Sequence, residues 1–144
     1  MNGKIKDDIM FNINRIKEQV GFHLPASEGQ IRICNIKLKQ NSLPEIPQAY
    51  ADVLKACNGF SNEDCCVFGA ETAKHNKYKD IAEFNVSYFH KQTSDWLILG
   101  ENDFFYFIYD ATQKKYVLAD RDTLEEEISS EDFDVVMEAV LRID

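Results

Sequence analysis

WLILGENDFFYFIYDATQKKYVLAD, residues 96–120, is the stretch that decides the fold. Trp96 to Gly100, Phe104 to Asp110 and Tyr116 to Asp120 are apolar or aromatic runs, parted by Glu101-Asn102-Asp103 and by Thr112 to Lys115. Short β-branched and aromatic runs between polar breaks read as consecutive strands of a meander. Side chains alternate across a strand, so Phe105, Phe107 and Tyr109 share one face, and Phe104, Tyr106, Ile108 and Asp110 the other. Both faces are aromatic. Either the sheet is covered on both sides, or one face is a recognition surface.

Working outward, Ile5, Ile9, Ile13, Ile16 and Val20 recur at the spacing of a helical stripe that Gly21 ends. Between Gly29 and Lys39 the alternation of Ile31 and Ile33, carried on to Ile36 and Leu38 with a slip near Asn35, predicts a half-buried strand. The prolines in Leu43-Pro44-Glu45-Ile46-Pro47 restrain the residues before them, and Pro47 suits the first turn of a helix to Cys57. That helix sets Tyr50, Val53, Leu54 and Cys57 on one face, stops at Asn58-Gly59, and leaves Phe60 as an anchor. Cys65 to Phe68 is a short strand that Gly69 closes. Residues 70–90 suggest one or two short helices with Ile81, Phe84, Val86, Tyr88 and Phe89 inward.

After the meander, Arg121 to Glu127 suits a helical turn. Ser129 and Asp132 then form a capping box ahead of a helix with the stripe Phe133, Val136, Met137, Val140 and Leu141. Strands and helices do not alternate as in a parallel α/β fold. The order predicts a single α+β domain over 1–144, with a mainly antiparallel sheet and N-terminal, middle and C-terminal helices.

The 144 residues, with 44% hydrophobic and 12% aromatic content and only nine Pro and Gly together, suit one ordered core rather than a disordered chain. The opening residues carry no apolar run, and no window approaches the roughly 18 apolar residues of a membrane helix, so the expected location is the cytoplasm. Cys34, Cys57, Cys65 and Cys66 form no CxxC, and reduced, buried thiols are the expectation. With His23, His75 and His90 scattered, no metal-ligand spacing emerges.

No phosphate-binding glycine loop, HExxH or nucleophile elbow is present. Asp103, Asp110, Asp120 and Asp122 lack the spacing of a calcium loop and suit strand ends and turns, where Asp bonds nearby amides. No cofactor, metal or catalytic residue is assigned, and the expectation is a non-enzymatic protein. Trp96, at the head of an apolar strand, is read as core.

Charge divides the chain. Residues 1–60 hold eight Lys/Arg and six Asp/Glu, whereas residues 61–144 hold eight and nineteen, a net of −11. Such a field repels nucleic acid and anionic lipid and steers a basic partner, though acidic surface also serves solubility. Lys4, Lys6, Arg15 and Lys17 stand beside Asp7, Asp8 and Glu18, which is a mixed face and not a nucleic-acid stripe.

A proline-led helix with an aromatic three positions on and an Asn-Gly stop (Pro47, Tyr50, Asn58, Gly59), then Phe68-Gly69, Trp96 to Gly100, Tyr109-Asp110 and a C-terminal helix carrying Phe133, resembles the SUKH superfamily, in particular its YrhA-like subgroup. The resemblance covers nearly all of the chain beyond the first helix, though residues 70–95 match poorly. It implies an α+β fold and a non-enzymatic binder: many bacterial members act as immunity proteins against toxins, often nucleases, and yeast relatives regulate cell-wall synthesis and signalling through protein contacts. Pro47, Tyr50, Asn58, Gly59, Phe68, Gly69, Trp96, Gly100 and Asp110 match positions that are architectural in the family, which supplies no catalytic set.

The leading expectation is an immunity-type protein that occludes a basic toxin domain through an acidic surface. Its contact residues are expected to be Glu101, Asn102 and Asp103 with Asp120, Asp122, Glu125, Glu126 and Glu127, exposed by their polar pattern. A regulatory interaction module is the alternative. An enzyme or small-ligand binder using the aromatic face stands third.

Overall fold

In a computed structural model, residues 25–61, 65–70, 80–88 and 95–141 are described. The expected helix over residues 5–20 lies outside them. The meander is present as β3 (Trp96–Asn102), β4 (Phe105–Asp110) and β5 (Lys115–Asp120). With β1 (Phe60–Ser61), β2 (Cys65–Val67) and β6 (Glu126–Ser130), the described residues form a six-stranded sheet in sequential order, each neighbouring pair antiparallel. The helices are α1 (Glu28–Gln40), α2 (Gln48–Ala56), the short α3 (Ile81–Glu83) that widens into a π-turn over Phe84–Tyr88, and α4 (Phe133–Leu141). The fold is α+β, as the order of elements predicts.

Register explains how both faces of β4 are used. Phe107 stands opposite Gly100 and Leu118, and is fully buried among the rings of Tyr50 (centroids 6.3 Å apart), Tyr116 (6.2 Å) and Phe133 (5.7 Å). On the opposite face Ile108 is buried, and Tyr106 meets Phe84 of the π-turn at 6.2 Å. The sheet is therefore covered on both sides at β4, and Trp96 joins the core as expected. Gly100 is required where β2 and β3 approach: a Cβ there would lie 2.8 Å from the carbonyl oxygen of Cys66.

Two expectations are corrected and a third is met in part. Residues 29–39 are not a strand but α1: Ser27 and Gln30 form a reciprocal capping box (3.1 and 2.8 Å), and Ile31, Cys34 and Leu38 bury one helical stripe. The slip near Asn35 was the helical period, and Ile33 and Ile36 lie on exposed positions. Residues 121–127 open with the expected single helical turn, the Leu124 amide donating to the Asp120 carbonyl at 2.8 Å, but then enter β6. Ser129, expected as a cap, pairs with Val117 inside β6, and it is the Ser130 hydroxyl that accepts the Asp132 amide at 3.0 Å. α4 then buries Phe133, Val136 and Met137 as expected.

The middle of the chain is tied together by buried side chains. α2 ends where Cys57 turns extended, and Gly59 adopts its positive φ of 88° two residues later, so the Asn-Gly pair lies beyond the helix stop. There a Cβ would meet the Gly69 nitrogen at 2.9 Å. Asn58 accepts from the Ala70 amide (2.7 Å) and donates to the Ala70 carbonyl (2.8 Å). Asn85 treats Ile98 alike, accepting from its amide (2.8 Å) and donating to its carbonyl (3.0 Å), while its second amide proton goes to the Ile81 carbonyl (2.8 Å). Of the residues expected inward here, Ile81 and Phe84 are buried but Val86 is exposed. The side chains of Tyr88 and Phe89 lie outside the described residues, as do those of Phe60, Val140 and Leu141.

Cys34, Cys57 and Cys65 are buried and Cys66 half-buried, and none of the four is in a disulfide. Among the described residues no helix is long and apolar enough to cross a membrane. Asn58→Ala strands two buried backbone groups and Asn85→Ala three, and each should cost about 2–4 kcal/mol in urea unfolding. A loss near zero in both would show that water replaces the side chains.

Candidate functional site

Each turn of the meander is closed by the last residue of the strand before it. Asn102 Oδ1 accepts the amides of Phe104 (2.9 Å) and Phe105 (2.8 Å). Asp110 Oδ1 accepts those of Thr112 and Gln113, both at 3.1 Å, and Asp120 Oδ1 those of Asp122 (2.8 Å) and Thr123 (2.9 Å). A short Asx side chain mimics a backbone turn in this way, and the role expected of Asp110 and Asp120 is met.

Because β4 and β5 pair with Phe105 opposite Asp120, the β3–β4 turn and the β5–β6 loop emerge at the same end of the sheet. Arg121 joins them. Its amide donates to the Phe104 carbonyl (3.0 Å), its Nη1 to the Asn102 carbonyl (2.9 Å), its Nη2 lies 3.5 Å from Glu101 Oε1, and its guanidinium stands 5.4 Å from the centre of the Tyr106 ring. The loop itself is held by Asp120 N to Glu125 O (2.9 Å) and Leu124 N to Asp120 O (2.8 Å).

The eight expected contact residues fall into two groups. Glu101 and Asn102 are not exposed: each retains 8% exposure, Glu101 beside Arg121 and Asn102 closing its turn. Their position at the end of β3, with the polar break folded under the tip, is the reason. Asp120 is engaged with the loop amides, and Glu126 pairs with Lys115 at 3.2 Å. Asp103, Asp122, Glu125 and Glu127 are exposed. Asp103, Asp122 and Glu125 belong to the two loops at this end, and Glu127 follows in β6.

Sequence reasoning placed Phe104 in a strand. It sits instead at the tip of the β3–β4 turn with 70% exposure, its ring edge-on to Phe105 at 6.4 Å. The signal was the Asn two residues earlier, whose side chain claims the Phe104 amide for a turn. Arg121 was likewise passed over, although a lone cation among carboxylates invites pairing.

Hydrogen bonds from the Thr123 and then the Asp122 amide hold the Asp120 carboxyl below the usual aspartate range. Burial, followed by the nearby Cys57, Cys66, Cys65 and Cys34, pushes the Tyr50 hydroxyl well above the usual phenol range, so it remains a donor. Burial and then Tyr109 raise Tyr116.

Elsewhere, α1 and α2 border an open groove of about 470 Å³. Its walls mix Glu28, Arg32, Glu45 and Lys55 with apolar Ile36 and Ile46, and Lys39 pairs with Glu45 across 3.0 Å. Among the described residues no cluster of three His, Cys, Asp or Glu side chains is placed to hold a metal ion. No family model matches the chain, and no curated protein matches it in sequence.

Two outcomes follow. Arg121→Ala should cost about 1–2 kcal/mol, a charge-assisted bond discounted for its partial exposure, and should shift the amide resonances of both loops in NMR. Shifts confined to one loop would mean that Arg121 does not join them. In a carbon-detected titration Asp120 should lose its proton below the ordinary aspartate midpoint. The unfolded Asp binds its proton more tightly, so this stabilisation is complete above the unfolded midpoint and lost as pH falls through the folded one. Asp120→Asn keeps the acceptor and should remove that part of the acid-side loss, whereas an Asp120 midpoint at or above the ordinary value would contradict the turn's bonding.

Proposed function

We propose that the protein is a cytoplasmic, non-enzymatic immunity-type binder that neutralises a basic toxin domain by covering its active surface. The observation that carries this reading is the juxtaposition of exposed Asp103, Asp122 and Glu125 with exposed Phe104 on two loops joined by Arg121. An exposed aromatic ringed by carboxylates has the composition of a protein-binding patch, apolar at its centre and charged at its rim. The net −11 of residues 61–144 adds a long-range field that draws a basic domain in and excludes nucleic acid from the same surface. The SUKH-like order of motifs supports the choice of a toxin as partner.

The mechanism is steric and electrostatic. A nuclease presents cations to phosphates, and carboxylates set at the same spacing compete for them while the protein's bulk closes the groove. Complementary charge speeds encounter, and the contact around Phe104 slows release.

Capture from the native host with the tagged protein, at low and at moderate salt, tests the reading by mass spectrometry. The expected result is a basic toxin domain retained at low salt and weakened at moderate salt. Capture of an envelope-synthesis or housekeeping protein, with no toxin, would contradict it.

A further inference from the structure

β6 is the last strand of the sheet, and among the described residues no strand pairs with its outer side. An unpaired edge exposes a row of amides and carbonyls that a further strand can join. The composition at this edge is selective. Glu125, Glu127, Glu131 and Asp132 flank a single apolar residue, Ile128, which is 40% exposed. The register Ile128↔Leu118↔Phe107 puts Ile128 on the face that Phe107 shares with Phe133 of α4. α4 packs against β6 on this face.

From this geometry we propose that β6 accepts an extended basic segment of the partner protein as a seventh strand. The segment's cations meet the flanking carboxylates and an apolar side chain meets Ile128. The proposal rests on the reading of a basic protein partner given above and specifies how it binds. Charge selects the occupant. A second copy of this chain would bring the same carboxylates to the edge and repel, as would an acidic strand. The bulge opposite Leu118 and Ala119, which leaves Glu127 outside the ladder, and the glutamates themselves are devices that protect edges from indiscriminate pairing. They penalise neutral and acidic strands while leaving a basic one favoured.

The probe is a short capped peptide alternating lysine and valine, titrated into the ¹⁵N-labelled full chain, beside the same peptide N-methylated at alternate residues. N-methylation retains charge and removes strand hydrogen bonds without touching the protein. The expected result is hydrogen-exchange protection within Glu126–Ser130, binding that weakens with salt, and a loss of about tenfold or more on N-methylation. Equal binding of both peptides, or shifts confined to the Phe104 and Asp122 loops, would overturn strand addition. Sedimentation showing that the chain alone dimerises through β6 would overturn the choice of occupant. The two proposals fail separately: a captured toxin that leaves β6 amides unprotected sinks this one alone, while peptide protection at β6 with no toxin captured sinks the immunity reading alone.

Discussion

The inner half of β3 has the constraint on which the rest of the structure depends. β2 pairs with β3 only from Gly100 to Asn102, so the buried peptide groups of Ile98 and Leu99 need partners that are not in that ladder. Asn85 supplies both bonds to Ile98, and the Phe68 amide supplies one to Leu99 at 2.9 Å. The Tyr50 hydroxyl donates to the Phe68 carbonyl and lies 3.1 Å from that of Leu99, and its single proton serves one of them at a time. Helix α2, the π-turn and the sheet are thereby fixed to one another through polar atoms within an apolar core. The π-turn itself has a cause: Asn85 Nδ2 takes the Ile81 carbonyl that a regular helix would offer to the residue 85 amide.

The same economy of polar groups decides which acidic residues face a partner. Turns need acceptors, and Asn102, Asp110 and Asp120 supply them from the strand ends. Glu101 and Glu126 are balanced by Arg121 and Lys115. Exposed Asp103, Asp122 and Glu125 gather at one end of the sheet because the meander returns there twice. Net charge alone would not have separated these roles.

Much of this was legible where a pattern was long and local. The β3, β4 and β5 strands, the helix after Pro47 and the C-terminal stripe all follow from uninterrupted apolar periodicity. α1 was misread because Ile31 and Ile33 mimic alternation, and the stronger signal, Ser27 with Gln30, precedes the apolar run. β6 was missed because Glu-Glu-Ile-Ser-Ser has no strand-like composition; an edge strand paired on one side needs none. Exposure of Glu101, Asn102 and Phe104 depended on where a turn begins, which is set by the two hydrogen bonds Asn102 accepts and not by polarity.

The central claim is that exposed and engaged carboxylates do different work, and a paired comparison of unfolding and partner affinity tests it most directly. Neutralising Asp103, Asp122, Glu125 and Glu127 together should flatten the salt dependence of binding and change stability only slightly. Replacing Asp110 and Asp120 by Ala should lower stability, with the partner's salt dependence kept. If the first set unfolds the protein while leaving binding unaltered, or both sets act alike, the division drawn between structural and binding carboxylates is wrong.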